Sequence, residues 1–201
     1  VALDAYRANE IVETFSYTNT VSLGSQGGGN GWSGNWSISS GTWTIESAMQ
    51  AAGVFPAAAG SAVKLANPGN GGSGAASRGF SSVSTGTIYI ASVIRYGFDG
   101  TDKWAGIDLT LDGTTQAYIG KDYTQSYRFG IESGGSRNYD ASYNFNPGDG
   151  GNGASTNNQY LIIARYNFDS DVLNGIVYYK TVSVPATEPE SWNATLSSVS
   201  I

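Results

Sequence analysis

An all-β antiparallel sandwich of about a dozen strands is the fold class this sequence predicts, on three observations. Only 13% of the 201 residues are charged, 28 are Gly, and Thr, Ser and Asn separate the aromatics, the make-up of a β protein with many turns. Apolar and polar residues alternate with period two along many short segments. Between two of these stands Asp112-Gly113, suited to a type I′ hairpin turn, whose two central residues both need φ > 0.

Taken in order, residues 1–9 form an N-terminal extension in which Val1, Leu3 and Ala5 alternate as a strand would, although Asp4 could equally cap a helical turn. Glu13, Phe15 and Tyr17 set against Val12, Thr14 and Ser16 predict a strand over 11–17. A Gly-rich loop with Trp32 and Trp36 follows, then strands over 42–46, with Trp43 and Ile45 on one face, and over 62–65. Between those two, Gly53, Pro56 and Gly60 interrupt an Ala-rich stretch and leave it a loop. A further strand is expected over 77–80. Residues 86–120 then predict a three-stranded meander, TIYIASVIRY, WAGIDLTL and TTQAYIG. Its first strand is apolar on both faces, which places Tyr89 inside. Ile107 and Leu109 face the core, with Asp108 and Thr110 outside. Strands follow at 127–131, 139–145, 160–168 and 176–184, with DSDVLNG read as the turn between the last two, and a short run closes at 196–201. Residues 10–201 therefore read as one sandwich domain.

Composition also excludes function classes. A net charge of −6 lacks the basic patch that nucleic-acid phosphates demand. No apolar run is long enough to cross a membrane as a helix. With no Cys there is neither a disulfide nor a thiolate metal site. The chain begins without Met or an apolar leader, the form expected of an exported protein after signal-peptide removal.

The same elimination reaches catalysis. His is absent, which removes the usual base of a lyase or Ser hydrolase. An E-x-D-x-E strand, which would set carboxylates about one glycosidic bond, occurs nowhere, and Glu13, Glu46 and Glu132 stand apart from other carboxylates. The sequence therefore predicts a protein that is not an enzyme. No cofactor is expected, and any metal is limited to Ca²⁺ on oxygen ligands. Asp99 with Asp102, and Asp169 with Asp171, have spacings that could present carboxylates to Ca²⁺, or that could serve their own turns. Trp32, Trp104 and Tyr123 are the loop rings best placed to stack on sugars. The alternative for Trp32 and its neighbour Trp36 is to plug an end of the sandwich.

EIVETFSY, GGGNGWSGNW, SRGF, GTIYIASVI, KWAGIDL, AYIGK, FGIESGG and YLIIARYNF together resemble secreted bacterial domains of the concanavalin A-like (laminin G-like) jelly-roll type. The resemblance covers about residues 10–192 and implies a jelly-roll sandwich in a secreted, extracellular or cell-surface protein. It leaves function open, since such folds serve lectins, glucanases and structural modules alike. It also implies a closing strand beyond Val199 that this chain lacks, while VALDAYRANE stands ahead of the usual start. Two functions follow as expectations. The first is a structural subunit of an extracellular fibre or matrix, joined head-to-tail to copies of itself by β-strand complementation, with Val1, Leu3 and Ala5 filling a neighbour's groove. The second is a lectin-like module that binds extracellular polysaccharide.

Overall fold

A computed structural model describes residues 11–13, 15–47, 61–66, 74–95, 105–121, 128–144, 159–179, 187–199 and 201. The described residues form twelve strands, all antiparallel, and no helix. The chain divides into two compact units, one of Val1–Ala51 and Phe55–Val83, the other of Ala52–Val54 and Ser84–Ile201.

In the first unit, β1 (Ser37–Ser40) pairs with β4 (Ala75–Ser77), and β2 (Thr42–Ser47) with β3 (Ser61–Ala66). Ile45 and Leu23 are its fully buried aliphatic side chains among the described residues. The strand expected over 11–17 does not form. Val12 makes one bridge to Asn30, and Phe15 takes φ 49°, which breaks an extended run. The strand expected over 77–80 is likewise displaced, since β4 ends at Ser77 and Phe80 only bridges Trp32.

The second unit holds two four-stranded sheets about one core. One sheet is ordered β12 (Ala194–Ser197), β11 (Val172–Tyr179), β10 (Gln159–Asn167), β5 (Thr87–Arg95). The other is a plain meander of β6 (Ala105–Leu111), β7 (Thr114–Lys121), β8 (Arg128–Ser133) and β9 (Ser136–Asn144). Ile119, Phe129 and Ile131 from the meander meet Ile162, Ala164, Tyr166, Leu173 and Val177 from the first sheet in a single cluster. The β6–β7 hairpin turns at Asp112 and Gly113 with φ 50° and 78°, both positive as the dipeptide requires.

Three expectations are corrected here. β5 is not the first strand of the meander; it lies in the facing sheet, beside β10. β5 ends at Arg95 and β6 starts at Ala105, a separation greater than the two residues of a tight hairpin. Among the described strands β5 is an edge with one wet face, and Tyr89 is 39% exposed rather than inside. Lastly, Asn174-Gly175 is not a turn. The turn is 168–171, and β11 starts at Val172. A Cβ on Gly175 would stand 2.8 Å from Phe129 Cζ and 2.9 Å from Ile131 Cγ2, so this glycine allows the two sheets their close approach.

The rest of the expected core holds by degrees. Ile162 and Ala164 are fully buried, and Asp108 and Thr110 are exposed. Ile107 and Leu109 are half-buried, on a strand that is also an edge among the described strands. Leu109 still packs on the core, so Leu109→Ala should cost about 2 kcal/mol, the low end for such truncations. A denaturant midpoint unchanged by this substitution would contradict the register.

Candidate functional site

The densest polar chemistry in the first unit gathers on one carboxylate. Glu13 Oε1 accepts from the Phe15 N–H at 2.8 Å. Its Oε2 accepts from Tyr17 Oη at 2.8 Å, from Trp36 Nε1 at 3.0 Å and from Arg78 Nη1. Arg78 Nε donates to the Gly34 carbonyl at 2.6 Å. The ion pair is enclosed, with the Arg78 and Glu13 side chains 4% and 7% exposed. Rings wall it in. The guanidinium lies 5.2 Å from the centre of the Trp32 ring, Trp36 stacks on Phe15 at 5.7 Å, and Trp32 meets Trp36 and Phe80 at 6.2 Å.

Burial pushes the Glu13 carboxyl up, but the hydrogen bonds from Tyr17, Phe15, Trp36 and Arg78 outweigh it and hold the group below its ordinary 4.5. Tyr17, half-buried and donating to that carboxylate, is pushed up by its partial burial and by Glu13. Glu13 is thus an ionised acceptor at neutral pH, suited to clamping three stretches of chain, its own at 13–17 and those of Trp36 and Arg78. It is the opposite of a general acid, which needs a raised pKa. Because its folded pKa is depressed, the stabilisation is complete above about pH 4.5 and is lost as pH falls through the lower folded value. Unfolding curves between pH 7 and 3 should show that acid-side loss, and Glu13→Gln should remove it.

A second polar row crosses the outer face of the β5-containing sheet. Tyr89, Arg165, Asn174 and Thr195 are successive partners on β5, β10, β11 and β12. Arg165 donates to Asn174 Oδ1 from Nε at 3.2 Å and Nη2 at 2.7 Å, and Asn174 Nδ2 donates to Thr195 Oγ1 at 2.9 Å. Residues 187–193 lie over this row. Glu188 pairs with Arg165 and accepts from Tyr89 Oη at 2.9 Å, and the Trp192 ring centre is 5.1 Å from the guanidinium.

Of the sugar-stacking rings expected from sequence, Trp32 is half-buried, with Arg78 against its face and its Nε1 donating to Val12 O at 3.1 Å. Trp104 and Tyr123 lie outside the described residues, as do Asp99, Asp102, Val1, Leu3 and Ala5. Asp169 and Asp171 sit in the β10–β11 turn. Asn167 Oδ1 accepts from the N–H groups of Asp169 and Ser170, each at 2.9 Å. Asp171 Oδ1 lies 3.2 Å from the Tyr166 hydroxyl, and Asp171 takes φ 52°. Among the described residues no group of three His, Cys, Asp or Glu gathers where a metal ion could sit, nor is any helix long and apolar enough to cross a membrane.

Sequence reasoning missed the Glu13–Arg78 pair, whose members are 65 residues apart. The available signal was scarcity. In a chain this poor in charge, one Glu in an alternating aromatic run and one Arg in SRGF each call for a partner.

The unit with two sheets has four edges among the described strands, and three are blunted. β12 is four residues long, and beyond its start Asn193 Oδ1 caps the Val177 N–H at 2.9 Å. β6 carries exposed Asp108 and faces a bulge, and β9 carries exposed Arg137 and a register shift against β8. β5 pairs with β10 in nine unbroken steps and has no Pro, no bulge and no charge before Arg95. The Phe168 N–H donates to Gly86 C=O at 2.9 Å, so Gly86 and Phe168 are a hydrogen-bonded pair. By alternation, the N–H and C=O groups of Thr87, Ala91 and Val93 point away from β10, to a side where no described strand lies.

No family model, no curated protein and no solved structure matches the chain.

Proposed function

We propose that this chain is a non-catalytic, secreted structural protein, a subunit of an extracellular fibre or matrix whose copies join by β-strand addition. On this reading the two-sheet unit is a concanavalin A-like jelly roll. The observation that carries the proposal is the β5 edge, regular over Thr87–Arg95 and, among the described residues, without the devices that blunt the other three described edges of its unit. Strand addition to such an edge takes its affinity from main-chain hydrogen bonds and its register from alternate side chains. Ile88, Ile90 and Ile94 supply the inner row and already pack on the core. Arg95 is the one charge on the strand, so the joint should survive about 1 M salt, where exposed charge pairs are screened.

Sedimentation velocity and electron microscopy of the purified chain test this. Assemblies are expected, and Ala91→Pro, which removes an edge-side N–H without touching the β10 ladder, should reduce them sharply. A chain that stays monomeric at about 0.1 mM, where even weak specific contacts are populated, would refute it.

A further inference from the structure

We propose that Arg165 anchors a binding site for a uronate, a sugar ring bearing a carboxylate, and that Glu188 holds this site closed from within the chain. The inference goes beyond strand addition and applies equally to a monomer. The sheet itself aims the guanidinium. Arg165 Nε and Nη2 both donate to Asn174 Oδ1, at 3.2 and 2.7 Å. Asn174, 4% exposed, is fixed in turn by donating to Thr195 Oγ1 at 2.9 Å. These residues form one row across β10, β11 and β12. One edge of the guanidinium is thus engaged by contacts that do not involve residues 187–193, and its end, Nη1, is left to face a carboxylate.

The carboxylate found there is that of Glu188, seated as a receptor would seat one. Its Oε1 accepts from Arg165 Nη1 and its Oε2 from Tyr89 Oη at 2.9 Å. The occupant is weakly held. The Arg165 and Glu188 side chains are 27% and 32% exposed, and an ion pair so open to solvent shifts an equilibrium by about fivefold at most. Among the described residues, no main-chain hydrogen bond outside the strands involves residues 187–193. Side chains fasten the segment instead. Glu188 and Trp192 both lie on the Arg165 guanidinium, and Asn193 Oδ1 accepts from the Val177 N–H at 2.9 Å. A swing of the Glu188 side chain alone therefore opens the site and leaves the sheet ladder untouched. The surroundings suit a sugar better than a bare anion. An indole ring stands beside the cation, and Asn174 and Thr195 are neutral hydrogen-bonding groups. Thr195 is exposed, and because its Oγ1 accepts from Asn174, its own proton can go to a sugar hydroxyl. The net charge of −6 disfavours a densely charged polyanion and fits a ligand whose carboxylates are sparse.

Cellobiouronate, a glucuronate linked to glucose, is the probe, and cellobiose is its counterpart without the carboxylate. The full chain is titrated by nuclear magnetic resonance to about 10 mM of each, a range that reveals millimolar affinity. Cellobiouronate should shift the indole N–H signal of Trp192, assigned with Trp192→Phe, and cellobiose should not. Glu188→Gln removes the competing charge and should tighten binding by about threefold to fivefold. Arg165→Met should abolish it. Glu188→Gln decides the matter even if Arg165→Met unfolds, because an ion pair that only braces the sheet gives no gain in affinity when it is neutralised. Absence of binding in both the parent and Glu188→Gln, or equal binding of cellobiose, would overturn the site. Equal binding of N-acetylglutamate methylamide by Glu188→Gln would overturn the sugar and make the ligand an acidic peptide. None of these outcomes depends on whether the chain assembles, so strand addition stands or falls separately.

Discussion

Arg78→Ala should destabilise the first unit by about 3–5 kcal/mol, the usual cost of removing one member of a buried ion pair. The size follows from what stays behind. Glu13 would remain in an enclosure with its side chain 7% exposed, still accepting from Tyr17, Trp36 and the Phe15 N–H, but with no cation against its charge. The Gly34 carbonyl would lose its donor and the Trp32 ring the cation beside it. Arg78→Lys should recover only part of the loss, because an ammonium group cannot reach Gly34 and Glu13 together with the planar geometry of guanidinium. The Glu13→Ala/Arg78→Ala double variant should cost clearly less than the sum of the two single ones, since the residues act as a pair. Urea unfolding followed by Trp emission is the direct measurement, as Trp32 and Trp36 border the ion pair. A single-variant loss below about 1 kcal/mol would place the pair with exposed salt bridges and contradict the enclosure.

Gly175→Val should cost about 3 kcal/mol, the upper end for overpacking a tight core. Valine is an excellent strand residue, and β propensity alone would predict a gain. The steric term decides against it. The new Cβ would press on Phe129 and Ile131, side chains that are 0% and 1% exposed and have no room to withdraw. The sheets would have to separate locally. Pairing Gly175→Val with Phe129→Leu should restore part of the loss, because removing the ring tip frees the space the methyl groups need. A stabilised Gly175→Val variant would mean that the glycine is an accident of sequence rather than a condition of the sheet contact.

The strands were largely legible because their signal is local. Alternation around Ile45, Ile131 and Ile162 marks β2, β8 and β10 with their correct inner faces, and Asp112-Gly113 marks its hairpin. Partnership was not legible, because period two says which face is wet and nothing about which strand lies alongside. β5 pairs with β10 across an intervening four-stranded meander, and no pattern in TIYIASVIR names QYLIIARYN as its neighbour. Asn174-Gly175 misled for a related reason. The dipeptide is a turn signal by local chemistry, but here the glycine answers to the facing sheet and the asparagine to Arg165 and Thr195. Phe15 is the reverse case, an alternating aromatic drawn out of a strand into a turn that brings its N–H to Glu13. The clamp on Glu13 and the polar row under Trp192 are both built from residues remote in sequence, which is why neither could be read in advance.

Asn174 carries one more consequence, for how the protein ages. Asparagine followed by glycine is the sequence most prone to spontaneous deamidation, which begins when the next main-chain nitrogen attacks the side-chain amide carbon. That attack needs a backbone fold far from the extended ψ of about +135° that an antiparallel strand imposes. Asn174 is buried in the middle of β11, its amide oxygen held by Arg165 and its amide nitrogen by Thr195, while Gly175 is in register with Ala164. The chain has four Asn-Gly dipeptides, and at this one the side-chain amide is thereby kept intact for as long as the sheet holds.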